Sequence, residues 1–214
     1  MHAPCYSEQL AVTVEAAKLC AARHRTIIMD PRAQLVQYYR WLRQYGLNDS
    51  HSGNASIRDG DTVWVTPTGC CADTLTPEAL IGCRLDDGPR EGASLDAPLH
   101  LAVYRNNPAA QAVLHSHGAH SVALTLNGED FVPVDFEGGF YFPRVPVINI
   151  PYDQYVALSP QRVADTLAEH PIAVVRGHGV YAWGETLDKA YKWTCSLELS
   201  ARTAFLARQA GTLP

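Results

Sequence analysis

The run AQAVLHSH (110–117) constrains this chain more than any other segment. It is apolar and β-type until its end, where His115 and His117 stand one residue apart. Side chains of a strand alternate faces, so positions i and i+2 point the same way. Two imidazoles on one side of a strand end are two-thirds of a three-histidine metal site. A second apolar run, IAVV (172–175), leads to His178, whose neighbours Gly177 and Gly179 let the backbone approach closely. Three nitrogen ligands with an open fourth position are the pattern of a catalytic zinc rather than a structural one. The same set also accepts iron or manganese.

A single histidine in an apolar run is usually a satisfied core residue. The H-x-H pair and a third histidine at another strand end shift that balance toward metal. His100, His120 and His51 compete as ligands. His100 lies four residues after Asp96, so on a helix the two share a face. His2, His24 and His170 fall in helical or terminal contexts and read as surface residues.

A chain of 214 residues suits one domain with a sizeable core. Its net charge of −5 comes without any basic run or stripe, which speaks against a nucleic-acid partner. Six scattered cysteines show no C-x-x-C spacing, and the first residues lack a basic region followed by an apolar stretch. The expectation is a cytoplasmic protein with free thiols, and no segment approaches the ~20 apolar residues that span a bilayer.

Residues 1–30 read as a helical extension and 31–214 as the catalytic domain. A helix follows Asp30-Pro31, with Leu35, Tyr38, Tyr39 and Leu42 at helical spacing and Gly46 past its end. SIRDGDTVWVT reads as a β-hairpin turning near Asp59-Gly60. Residues 76–82 suggest a short helix, a longer helix starts near Ser94, and SVALTLNG suggests another. FVPVDF and VPVINI read as strands, 160–169 as a helix before IAVV, and TLDKAYKWTCSLELSARTAFLARQAG as a long closing helix. Strands mixed with helices predict a layered α/β or α+β fold.

Four motifs occur in order: SGNAS (52–56), TPTG (66–69), SLDAPLHLAVY…AVLHSH (94–117) and GHGVYAWG (177–184). Together they resemble the class II aldolase/adducin family of metal-dependent sugar-phosphate enzymes. The resemblance implies a three-layer α/β fold, a central, largely antiparallel sheet flanked by helices. It implies a homotetramer with active sites between subunits, and zinc on His115, His117 and His178. Phosphate binding would fall to Gly53, Asn54, Thr68, Gly69 and Ser94, where hydroxyls and backbone N–H groups hold an anion without a lysine. Simple turn chemistry accounts for SGN and TPTG equally well. Aldolases of this type usually show two serines before their acidic residue; here the second is Leu95, which removes one donor.

The acid/base candidates are Asp96, matching the position of the aldolases' catalytic glutamate, and Glu137. Glu137 stands at nearly the distance from H-x-H at which methylthioribulose-phosphate dehydratases place theirs. Tyr141, Tyr152 and Tyr181 are candidate phenols. Family aldolases and epimerases often borrow a tyrosine from a neighbour's C-terminal tail, and no such tail is expected here, which counts against the epimerase. The resemblance thus implies a zinc-dependent lyase that cleaves a small ketose 1-phosphate through a metal-stabilised enediolate. The alternatives are a methylthioribulose-1-phosphate-type dehydratase and a sugar-phosphate 4-epimerase. A non-catalytic adducin-like scaffold and a metal-dependent oxygenase or decarboxylase stand further off.

Overall fold

The computed structural model describes residues 30–213. The expected helical extension over 1–30 therefore lies outside the described residues, apart from Asp30. Residues from Pro31 onward form one compact unit.

Helix α1 (Pro31–Gln44) buries Leu35, Val36, Tyr39 and Leu42, the helical stripe visible in the sequence, and Gly46 follows it at φ +75°. The hairpin β1 (Asn54–Asp59) and β2 (Thr62–Val65) turns through Gly60-Asp61, one residue from the expected Asp59-Gly60. Strand β3 (Ile81–Arg84) and helix α2 (Ala97–Asn106) precede β4 (Ala112–Ser116), whose five residues are all buried. Short helices α3 (Ala119–Leu124) and α4 (Phe136–Tyr141) come next, then β5 (Val147–Ile148) and α5 (Tyr155–Glu169). The chain continues through β6 (Ile172–Val175) and β7 (Gly179–Gly184) to α6 (Leu187–Gln209). The hydroxyl of Thr186 starts α6 by accepting from the Lys189 N–H at 3.1 Å.

The sheet order is β3-β2-β1-β4-β7-β6-β5, antiparallel throughout except for the β5–β6 pair. β4 is the central strand, so alternation along it assigns its side chains to two cores. Val113 joins α2 and α5 on one face, with Leu99, Leu101, Val163 and Leu167. Ala112 and Leu114 join α1 and the start of α6 on the other. Further along that second face, α6 packs Leu197 and Ala201 against Ile172, Val174 and Val180. This is the three-layer α/β arrangement, with helices covering both sides of the sheet.

Three local readings differ. The helix expected over 76–82 is a single 3-10 turn, Pro77–Ala79, because Leu80 returns to extended backbone and leads into β3. FVPVDF forms only an isolated bridge between Phe131 and Val145, since Pro133 cannot donate to a ladder. Asp135 instead caps α4 by accepting from the Gly138 N–H at 2.9 Å. The helix expected at 160–169 begins at Tyr155 and carries Pro160 inside it. The missing proline N–H leaves the Val156 carbonyl without its i+4 helical partner, and Val156 is an exposed residue.

Candidate metal centre

Strand register builds the floor of the site. His115 on β4 is paired with Asn54 on β1 and with Tyr181 on β7, so the three side chains form one row. The His115 ring stacks flat on Tyr181, with centroids 4.0 Å apart and planes 1° from parallel. His117 continues the same face two residues on. His178 arrives on the hairpin loop between β6 and β7, whose strands pair Val175 with Gly179.

The three histidines converge through their Nε2 atoms: His117 to His115 at 2.9 Å, and His115 to His178 at 3.3 Å. Among the described residues this is the group of three that could hold a metal ion. Two observations test the fit. The Nδ1–H of His115 donates to the Val180 carbonyl at 3.0 Å, which fixes the tautomer and leaves the Nε2 lone pair for a ligand. Burial lowers the pKa of all three rings, most strongly for His115, so all are neutral at pH 7. Neutral imidazoles with converging lone pairs are a donor set suited to zinc.

Two glycines make room for this convergence. A Cβ on Gly179 would lie 2.5 Å from the Ser116 carbonyl, 2.6 Å from His117 Cδ2 and 2.7 Å from His115 Cε1. Gly53, at φ +68°, has the His115 carbonyl 2.5 Å from where its Cβ would stand. Asn48 clamps the strand end by accepting from the His117 N–H at 2.9 Å.

Asp96, just before α2, is buried above the row. Its carboxylate accepts from Asn54 Nδ2 at 2.9 Å and from the Tyr155 and Tyr181 hydroxyls at 2.8 Å each; these two hydroxyls also touch one another. One of its oxygens lies 3.8 Å from His115 Nε2. Burial pushes the carboxyl pKa up, but its electrostatic interaction with the His115 ring and hydrogen bonds from Asn54 and Tyr155 outweigh it and hold the group down at about 2. Behind Asn54 runs a directed chain. Tyr104 donates to Ser56 at 2.8 Å, Ser56 to His100 Nδ1 at 2.6 Å, and His100 Nε2–H to Asn54 Oδ1 at 2.6 Å. The direction follows from the end group, because an ionised carboxylate only accepts.

The structure thus brings together His115, His117, His178, Asp96 and the side chain of Asn54. The Asn54 amide is occupied by Asp96 and His100, and its backbone lies in the β1–β4 ladder opposite His115. Ser94 is buried, and its Oγ accepts from the Asp96 N–H at 3.3 Å. Thr68 and Gly69 are exposed on their loop. Glu137 sits exposed in the first turn of α4 and is not among the groups around the histidines. His120 pairs with Glu198 at 2.7 Å, and His51 with Ser50 at 2.8 Å. Tyr181 belongs to the site, whereas Tyr141 packs under Lys192 and Tyr152 is 99% exposed.

Sequence reasoning missed three contributors. Tyr155 stood before the expected start of its helix, yet its ring meets His178 edge-on at 4.6 Å. Asn48, between α1 and β1, holds the His117 N–H. Glu198, on the long closing helix, accepts from the backbone N–H groups of His120 and Ser121 at 3.1 and 3.0 Å, fixing the turn that follows His117. None carries a sequence signal, because each acts across a tertiary contact.

Residues 33–205 match the family described as Class II Aldolase and Adducin N-terminal domain. The chain belongs to that family. It is 34% identical over 196 residues to a methylthioribulose-1-phosphate dehydratase of Acidiphilium cryptum, covering 83% of this chain and 87% of the relative. It is 32% identical to a 3-oxo-tetronate 4-phosphate decarboxylase of Escherichia coli, covering 82% and 86%. Among solved structures, an l-fuculose-1-phosphate aldolase from Thermus thermophilus superposes with a TM-score of 0.77 at 33% identity, covering 84% of this chain and 96% of that one. A longer relative from Nocardia farcinica is 30% identical over 187 residues, and the chain spans 34% of its length.

Proposed function

We propose that the protein is a zinc-dependent lyase that cleaves a small ketose 1-phosphate by retro-aldol chemistry. The observation that carries this reading is the convergence of three neutral Nε2 atoms beside an ionised, buried carboxylate. The named relatives, an aldolase, a dehydratase and a decarboxylase, are all lyases. His115, His117 and His178 would hold the metal, which when bound polarises a carbonyl and stabilises an enediolate. Asp96 is the proton acceptor. In retro-aldol cleavage it takes the proton of the hydroxyl on the departing carbon as the carbon–carbon bond breaks, releasing an aldehyde. Asn54, Tyr155 and Tyr181 keep Asp96 oriented. Gly53, Thr68, Gly69 and Ser94 are the phosphate contacts, and the working form is a cytoplasmic homotetramer.

Dehydration is the second reading, favoured by the 34% identity to a dehydratase. There a proton beside the carbonyl is removed and the hydroxyl on the next carbon leaves, with Glu137 as the acid/base. The test is a panel of ketose 1-phosphates and a 3-oxo acid phosphate incubated with zinc-loaded protein. Aldehyde release is the expected product. Water loss would favour the second reading, and carbon dioxide release would replace both. Asp96→Asn is expected to lower kcat at least 100-fold, while Glu137→Gln retains most of it; the reverse pattern moves the acid/base to Glu137.

A further inference from the structure

Tyr39 lies on the buried face of α1, against the turn that carries Gly53. A phenyl ring would fill that space equally well, but the hydroxyl makes contacts of its own. It donates to the Ser52 carbonyl at 3.2 Å and to the Gly53 carbonyl at 3.3 Å. Its oxygen accepts from Cys70 Sγ at 4.0 Å, in the turn that contains Thr68 and Gly69. One hydroxyl thus meets both turns that carry the glycine phosphate contacts. The C=O and N–H of a trans peptide point opposite ways, and the described chain has no cis bond. Holding the Ser52 carbonyl inward on Tyr39 therefore turns the Gly53 N–H outward, away from α1. Among the described residues no backbone carbonyl accepts from that N–H, whereas the Thr68 and Ser94 N–H groups are taken by the Gly92 and Thr66 carbonyls at 3.0 Å each. Thr68 and Ser94 are left with hydroxyls to offer an anion, and Gly53 with its backbone. Gly53 stands at φ +68°, and glycine adopts positive and negative φ about equally. The Ser52–Gly53 peptide thus has no local reason to keep this direction; the Tyr39 hydroxyl supplies one.

We infer that Tyr39 is a positioning residue for the phosphate: by holding the Ser52 carbonyl it aims the Gly53 N–H at the anion. The inference rests on the proposed phosphate contacts. Tyr39 acts from inside the core, through the peptide plane, and its own hydroxyl stays on the two carbonyls. Without that hydroxyl the plane is free to turn, and the turned state presents a carbonyl oxygen, which repels an anion, in place of a donor.

The experiment is calorimetric titration of inorganic phosphate into the zinc-loaded full chain, with Thr68→Ala as the reference variant that weakens binding. Tyr39→Phe, which keeps the ring and removes the hydroxyl, is expected to weaken phosphate about tenfold, the scale of one hydrogen bond to a charged group. Tyr39→Leu also lacks the hydroxyl but loses ring packing. It is expected to lower Tm further than Tyr39→Phe while losing phosphate affinity to the same extent, within about twofold. With a ketose 1-phosphate that the protein turns over, Tyr39→Phe should raise KM about tenfold and change kcat less than about threefold. A purely structural role would instead lower the active fraction and with it kcat. Unchanged phosphate affinity in Tyr39→Phe overturns the inference. So does a loss confined to Tyr39→Leu, which would make Tyr39 a packing group. Both results leave the phosphate contacts standing when Thr68→Ala weakens binding. Absence of phosphate binding in the wild type, or binding indifferent to Thr68→Ala, overturns the phosphate contacts and the role of Tyr39 together.

Discussion

At the scale of single residues, the site is a carboxylate surrounded by donors. Asp96 accepts three side-chain hydrogen bonds, and the directed chain from Tyr104 through Ser56, His100 and Asn54 ends on it. His100 works in that chain only as a neutral ring. Burial lowers its pKa from 6.5 to about 4, against the pull of Asp96. Folded His100 thus resists a proton that the unfolded chain accepts. Its contribution to stability is complete above pH 6.5 and is lost as pH falls toward 4, amounting to about 3 kcal/mol. Chelator-treated His100→Asn is expected to lose less stability between pH 7 and pH 5 than chelator-treated wild type, read from urea midpoints; equal losses would place the effect elsewhere. His117→Ala removes one of three converging nitrogens. Zinc content measured after dialysis is expected to fall from one equivalent to near zero, and full retention would refute its role as a ligand.

At the scale of elements, each histidine is aimed by a strand end and kept there by a neighbour. The β6–β7 hairpin brings His178 against β4 only because Gly179 has no side chain. Gly179→Ala is expected to cost about 1–3 kcal/mol and to weaken zinc binding, both measurable on one preparation. The turn after His117 is held by Glu198 on α6. Glu198→Ala should lower zinc affinity about tenfold, the usual scale for a residue that orients a ligand from behind. A variant with normal zinc affinity and a lowered Tm would make Glu198 purely a stabiliser of α3. Elements with strong periodicity were readable in advance: α1, the β1–β2 hairpin, β4 and α6. Those governed by competing local signals were not. Pro160 reads as a helix start, but α5 begins five residues earlier and carries the proline in its second turn, with the exposed residue Val156 four positions before it. Phe131 to Phe136 looks strand-like, but Pro133 and the Asp135 cap turn it into a bridge followed by a helix.

At the scale of the whole molecule, apolar surface remains after the layers are closed. Phe136 and Phe140 on α4 are 91% and 78% exposed, and Leu199, Phe205 and Leu206 are exposed on α6. Side chains of this size left uncovered fit a chain that associates with copies of itself. Light scattering at micromolar concentration is expected to report a tetramer. Phe136→Asp with Phe140→Asp should shift it to smaller species, and a wild-type monomer would refute the assembly. No helix among the described residues is long and apolar enough to cross a membrane.

The sequence by itself determined the donors and their local geometry. A β-type run ending in H-x-H must present two imidazoles on one face, and four ordered motifs were enough to assign the family. Only the tertiary structure decided what surrounds them. Asn54, Asp96, Tyr155 and Tyr181 are spread over more than a hundred positions, and nothing local relates them. Strand register puts Asn54 and Tyr181 on either side of His115, and packing of α2 and α5 on that face lowers Asp96 and Tyr155 onto the row. Periodicity records which way a side chain points along its own element; which other side chains it meets depends on how the layers close.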